Sequence, residues 1–145
     1  MKVLVIIIAL IFFQQDMKKF ELSQDSEIKL PAHIKMTKRI KLTDDQINIA
    51  DSLVNIYLKE NHSKYVYTRK VDDYYKYDRQ YVGYLSDDTK NTIFVNAFHE
   101  KSEYMTDDFL RKNLVFTRGG GSSFFNIKVN LKEGICYDLR VNAPK

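Results

Sequence analysis

The chain changes its hydrophobic period once, near Tyr65, and that switch limits the folds open to it. Upstream, Ile47, Ala50, Leu53, Val54, Tyr57 and Leu58 recur at three- and four-residue steps, the spacing of one apolar helical face. Thr43-Asp44-Asp45-Gln46 ahead of them has the form of a capping box, so a helix is expected to begin there and to stop near Asn61. Downstream, tyrosine, phenylalanine and valine follow a period nearer two. Strands are expected near Tyr65 to Lys70, Tyr74 to Leu85, Thr92 to Phe98, Leu114 to Thr117, Ser123 to Leu131 and Ile135 to Asn142. Lys132-Glu133-Gly134 supplies a hairpin loop for the last pair, and Thr106-Asp107-Asp108 reads as a second helix start. One N-terminal helix followed by an antiparallel β-meander implies an α+β fold, with a cystatin-like or similar helix-on-sheet layer.

Val3 to Phe13 form an unbroken apolar run behind Met1 and Lys2. As a helix this run spans roughly 16 Å, about half of a bilayer's hydrocarbon core. A positive start followed by such a stretch is the pattern of a secretory signal peptide, with an uncleaved N-terminal anchor as the alternative. The domain reading is therefore residues 1–15 as signal peptide or anchor, 16–39 as a tether, and 40–145 as a single α+β domain. Membrane association through residues 3–13 belongs to the anchor alternative. Leu30 to Lys41 carries Lys35, Lys38, Arg39 and Lys41 and no acid, which reads as a solvated linker. A single cysteine, Cys136, excludes an intrachain disulfide, so an exported domain of this kind must rely on its apolar core.

The paired aspartates have structural explanations first. Asp44-Asp45 and Asp107-Asp108 complement helix dipoles, Asp87-Asp88 falls in a turn, and Asp72-Asp73 reads as a solvated loop. His33, His62 and His99 show no ligand spacing, so no metal and no cofactor is assigned. Arg118-Gly119-Gly120-Gly121-Ser122-Ser123 lacks the lysine of a phosphate-binding loop and precedes a strand, so it reads as a turn or bulge with positive φ. Seven of the ten tyrosines lie between Tyr65 and Tyr84, interleaved with Lys70, Lys76 and Arg79. Asp72, Asp73 and Asp78 cancel the field there, which speaks against nucleic acid. An outward set of these tyrosines would instead suit protein or glycan recognition.

Arg79-Gln80-Tyr81-Val82-Gly83-Tyr84, Val95-Asn96-Ala97-Phe98, Gly120-Gly121 with Phe124-Phe125-Asn126-Ile127-Lys128, and Tyr137-Asp138-Leu139-Arg140-Val141-Asn142 together give a recognisable pattern over the C-terminal half. It resembles that of a group of small uncharacterised exported proteins of Gram-negative bacteria. The resemblance implies export and a single α+β domain, and it supplies no site residue.

The leading expectation is an exported, periplasmic or secreted, non-enzymatic domain that binds an extracytoplasmic protein or glycan. Its expected contact residues are Tyr75, Tyr77, Arg79 and Tyr81 of a tyrosine-rich sheet surface and Gly119, Gly120 and Gly121 of the glycine turn. Two alternatives stand beside it. One is a small hydrolase or transferase using His99 and Glu100 with a nearby hydroxyl such as Ser122 or Ser123; the other is a membrane-anchored envelope component. The sequence fixes neither ligand nor oligomeric state.

Overall fold

Thr43 starts the main helix by the exchange its sequence implies. In the computed structural model, which describes residues 17–25, 27–61, 71, 73–99 and 103–142, Thr43 Oγ1 accepts from the Gln46 amide at 3.2 Å. Gln46 Oε1 accepts in turn from the Thr43 amide at 2.9 Å. Helix α1 then runs Asp44–Glu60 and buries Ile47, Ala50, Asp51, Val54 and Leu58, with Asn61 as its C-cap. The apolar run near the N-terminus, the expected strand at Tyr65 to Lys70, and Glu100 lie outside the described residues.

The protein is α+β, with one main helix and a mostly antiparallel sheet of six strands among the described residues. The strands are β1 (Lys19–Glu21), β2 (Met36–Ile40), β3 (Asp78–Ser86), β4 (Asn91–Phe98), β5 (Phe124–Asn130) and β6 (Ile135–Val141), and a short helix α2 spans Asp107–Lys112. From β3 to β6 the order is a meander. Two short strands share the outer edge of β3: β1 pairs in parallel along Arg79–Tyr81 and β2 antiparallel along Gly83–Ser86. An edge covered in this way has few free backbone groups left to recruit another chain.

Register sorts the side chains. Tyr81, Val95 and Ile127 are aligned across β3, β4 and β5 on one face, and Val82, Phe94 and Lys128 on the other. The first face carries the largest core cluster, in which Ala50, Val54 and Leu58 of α1 meet Tyr81, Val95, Ile127 and Val129. The second face is covered as well. Leu22 and Ile34 pack there on Val82, Tyr84 and Phe94, while Phe20, Leu110 and Val115 gather with Phe98 and Phe124. Burial on both faces explains why β3 and β4 are buried along nearly their whole length.

Three expectations are corrected. The stretch read as a tether instead contributes β1 and β2 to the sheet and buries Phe20, Leu22 and Ile34. Its strands pair at an edge, where alternating charges reach water and no long apolar pattern is required. The strand expected from Tyr74 begins only at Asp78, because Asp73 caps a 3₁₀ turn over Tyr74–Lys76 by accepting from the Tyr75 amide at 3.2 Å. Leu114 to Thr117 is not a strand. The Val115 amide donates to Gln80 Oε1 at 2.9 Å and the Val115 carbonyl accepts from Asn96 Nδ2 at 2.8 Å, so side chains occupy the groups a ladder would use.

Candidate functional site

Asp51 sits on the apolar stripe of α1, four residues after Ile47 and three before Val54, and is 2% exposed. A carboxylate in that position needs partners from every element around it. Tyr74 Oη donates to Asp51 Oδ1 at 2.6 Å from the 3₁₀ turn, and Tyr81 Oη donates to the same oxygen at 2.7 Å from β3. The second oxygen, Oδ2, faces Lys19 Nζ at 2.7 Å from β1 and Arg79 Nη1 at 3.6 Å from β3. Both contacts with Oδ2 are ionic, without hydrogen-bond alignment, and Arg79 Nε and Nη1 find no acceptor although the side chain is 4% exposed. Two cations therefore face one carboxylate. The Arg79 guanidinium also lies 4.9 Å from the Tyr74 ring centroid and 5.6 Å from that of Tyr75.

The electrostatics make this cluster a holder of charge and a poor proton shuttle. Burial, reinforced by the neighbouring Tyr81 and Asp51, pushes the Tyr74 phenol well above its ordinary value. Burial and then Asp51 do the same to Tyr81. Both hydroxyls stay protonated at neutral pH and act as donors. For Arg79 the burial that opposes its charge is outweighed by Tyr81, Tyr74 and Asp51, so the guanidinium stays ionised. Cys136 offers no alternative nucleophile, since burial lifts its thiol up to about 12.

Lys19 links this buried cluster to the surface. Its ammonium also donates to Asn48 Oδ1 at 3.0 Å and lines a polar groove of about 460 Å³ with Glu21, Asp44, Ile47, Asn48 and Arg111. Glu21 is fixed as well, because its Oε1 accepts from the Leu42 amide at 2.8 Å. The groove thus has two cations, two carboxylates and an amide around one buried isoleucine, with two of these groups tied to the body of the fold.

The structure divides the residues expected from the sequence. Arg79 and Tyr81 join the Asp51 cluster but are buried rather than outward-facing, and Tyr77 is fully buried. Tyr75 is the exposed member, at 47%. Tyr77 instead reaches the glycine turn, donating from Oη to the Ser122 carbonyl at 2.6 Å. Gly119, Gly120 and Gly121 all have positive φ, as expected for a turn. A Cβ on Gly120 would come within 2.6 Å of the Phe124 ring, so that position needs glycine on two grounds. Asn142 Nδ2 closes the turn by donating to the Thr117 and Gly119 carbonyls at 2.9 and 3.0 Å.

His99 meets the glycine turn through its backbone and through Tyr77. The joins are the His99 amide donating to the Ser123 carbonyl at 2.9 Å and the His99 ring lying 3.7 Å from the Tyr77 ring. Lys19 and Asp51 were not singled out from the sequence, and Tyr74 only as one of the clustered tyrosines. Asp51 had a signal, a charge at a core position of the helical stripe; Lys19 had none, since a three-residue strand has no readable period. Among the described residues, no group of three or more His, Cys, Asp or Glu side chains could hold a metal ion. No protein-family model, curated protein or solved structure matches the chain.

Proposed function

We propose that this chain is a non-enzymatic binding domain acting outside the cytoplasm, and that its contact surface is the groove walled by Lys19, Asp44, Asn48 and Arg111. The observation that carries the reading is the fixing of Lys19: an ammonium at the wall of an open polar groove is held at 2.7 Å by a carboxylate that is itself anchored by two buried tyrosines. Side chains held from behind lose little freedom on binding, which favours affinity. The mixed charges suit an extracytoplasmic protein segment, with its own ammonium and carboxylate groups, better than a neutral glycan. In this reading Tyr77 and the glycine turn shape the scaffold, and a cystatin-like layering of α1 on the sheet serves the same end. The apolar run behind Met1 supports export.

Site-directed photocrosslinking in the native host tests the proposal. A photoreactive residue at Asn48 is expected to give a discrete extracytoplasmic adduct that Arg111→Glu abolishes, while one at Phe116, an exposed position outside the groove, gives none. Identical adducts from both positions, or none from Asn48, would overturn it.

A further inference from the structure

A second cavity, of about 300 Å³, opens on the other side of the first turns of α1 and is lined by Ile40, Leu42, Gln46, Gly83, Ile93, Leu131 and Lys132 among others. At 100° per residue, Gln46 projects from the side of α1 opposite Asp44 and Asn48, which separates this cavity from the polar groove. Its origin is Gly83. That residue faces α1 opposite Ile93, and having no side chain it leaves a gap over which the Ile40 to Leu42 segment passes. A Cβ at Gly83 would lie 2.5 Å from the Ile40 carbonyl oxygen and 2.6 Å from Leu42 Cδ2, so the close crossing depends on glycine. Leu42 fills part of the gap, and the remainder opens toward the β5–β6 turn.

We infer that this cavity is a binding site for a small amphipathic carboxylate, a fatty acid of about eight carbons. Three observations carry the class. The inner wall is branched aliphatic, from Ile40, Leu42, Ile93 and Leu131, and has no charge that a hydrocarbon chain would desolvate. Lys132 is the one formal charge among the described lining residues and is exposed, so it offers an ammonium where a carboxylate would emerge. The volume also fits: a cavity of about 150 Å³ accepts benzene, so one of twice that size holds roughly ten to twelve heavy atoms. Gln46 uses Oε1 in the helix cap, which leaves its amide nitrogen as a second donor on the wall. This site stands without the proposal above, since it shares no lining residue with the polar groove.

The test is a titration of the full chain with octanoate, followed by methyl NMR. Saturable shifts confined to Ile40, Leu42, Ile93 and Leu131 are expected, with octylamine at the same concentrations giving none. Lys132→Glu should weaken octanoate about fivefold, the scale of a solvent-exposed ion pair. Leu131→Trp, which fills a half-buried wall, should abolish the shifts. If that variant does not fold, Lys132→Glu, an exposed change, still decides the matter. Absent shifts, shifts spread over the molecule, equal binding of octylamine, or an unchanged affinity in Lys132→Glu would each overturn the assignment.

Discussion

The two faces of the sheet each bury a polar cluster, and they solve the problem in opposite ways. Behind β3 and β4, Gln80 Nε2 donates to the Leu110 and Asn113 carbonyls at 2.7 Å each, and Gln80 Oε1 accepts from Asn96 Nδ2 at 3.1 Å and from the Val115 amide. Every partner is neutral, most are backbone, and both side-chain groups of Gln80 are engaged. In front, the Asp51 cluster is charged, joins side chain to side chain, and leaves two guanidinium nitrogens without an acceptor. A neutral network that satisfies the backbone is part of how the chain folds, since it docks α2 and the segment after it onto the sheet. A charged network built from side chains is weak evidence for stability, because desolvating its ions offsets much of their attraction.

The contrast is open to attack by substitution, and the largest effect is expected at Asp51. Asp51→Ala removes the carboxylate that, among the described residues, pairs with Lys19 and Arg79, and should lower stability by about 3–5 kcal/mol, read as a fall in the urea midpoint. Gln80→Leu should follow at about 3 kcal/mol, since it strands the Leu110 carbonyl and the Val115 amide in the interior and takes the donor from the part-buried Asn113 carbonyl. Limited proteolysis should then cut first between Leu110 and Thr117. Tyr74→Phe removes one of two donors to the same carboxylate oxygen, and a loss of about 1–2 kcal/mol is expected in the same urea assay.

The smallest expected effect lies in a third cluster, at the far edge of the sheet. Asp138 sits at a bulge in β6 with φ +52, its Oδ2 2.7 Å from Lys128 Nζ and its Oδ1 2.9 Å from Arg140 Nε. Burial opposes its charge, but Lys128 and Arg140 hold its carboxyl below the usual range. His33 Nε2 lies 4.0 Å from Asp138 Oδ2, and burial, followed by the charge of Arg140, depresses the imidazole below its ordinary 6.5. The folded chain thus resists a proton that the unfolded chain takes up, so stability should decline as pH falls from 6.5 toward the depressed value. Asp138, already ionised there, contributes its own loss only at lower pH. Urea midpoints at about pH 7.5 and about pH 5.5 should differ in the native chain and differ less in His33→Gln.

Which elements could be read in advance follows from where their signals lie. The helix α1, the start of α2 at Thr106 and the strands β4 to β6 each carry their own cap, loop or alternation, and all formed close to the expected bounds. The edge strands β1 and β2 did not announce themselves, because Lys19–Glu21 and Met36–Ile40 are short and charged and take their order from β3. Leu114 to Thr117 looked like a strand because Leu114, Val115, Phe116 and Thr117 are mostly β-branched or aromatic; only Gln80 and Asn96, distant in sequence, decide that the hydrogen bonds of Val115 go to side chains. At the candidate site, Arg79, Tyr75 and Tyr81 were visible as an aromatic and basic stretch. The burial of Arg79 and Tyr81 was not, since it depends on α1 bringing Asp51 against their face of β3.

The central claim is that the charged cluster exists to fix Lys19 at the groove more than to hold the fold, and one variant separates these roles. In Asp51→Leu/Tyr74→Phe/Arg79→Met/Tyr81→Phe the whole cluster becomes apolar, with no partner left unpaired except the half-exposed Lys19. The decisive measurement is the photocrosslink from position 48 in this variant, with its urea midpoint recorded alongside. The account predicts a midpoint within about 1 kcal/mol of the native chain and loss of the crosslink. A variant that unfolds as readily as Asp51→Ala, or one that is stable and still crosslinks, would contradict it.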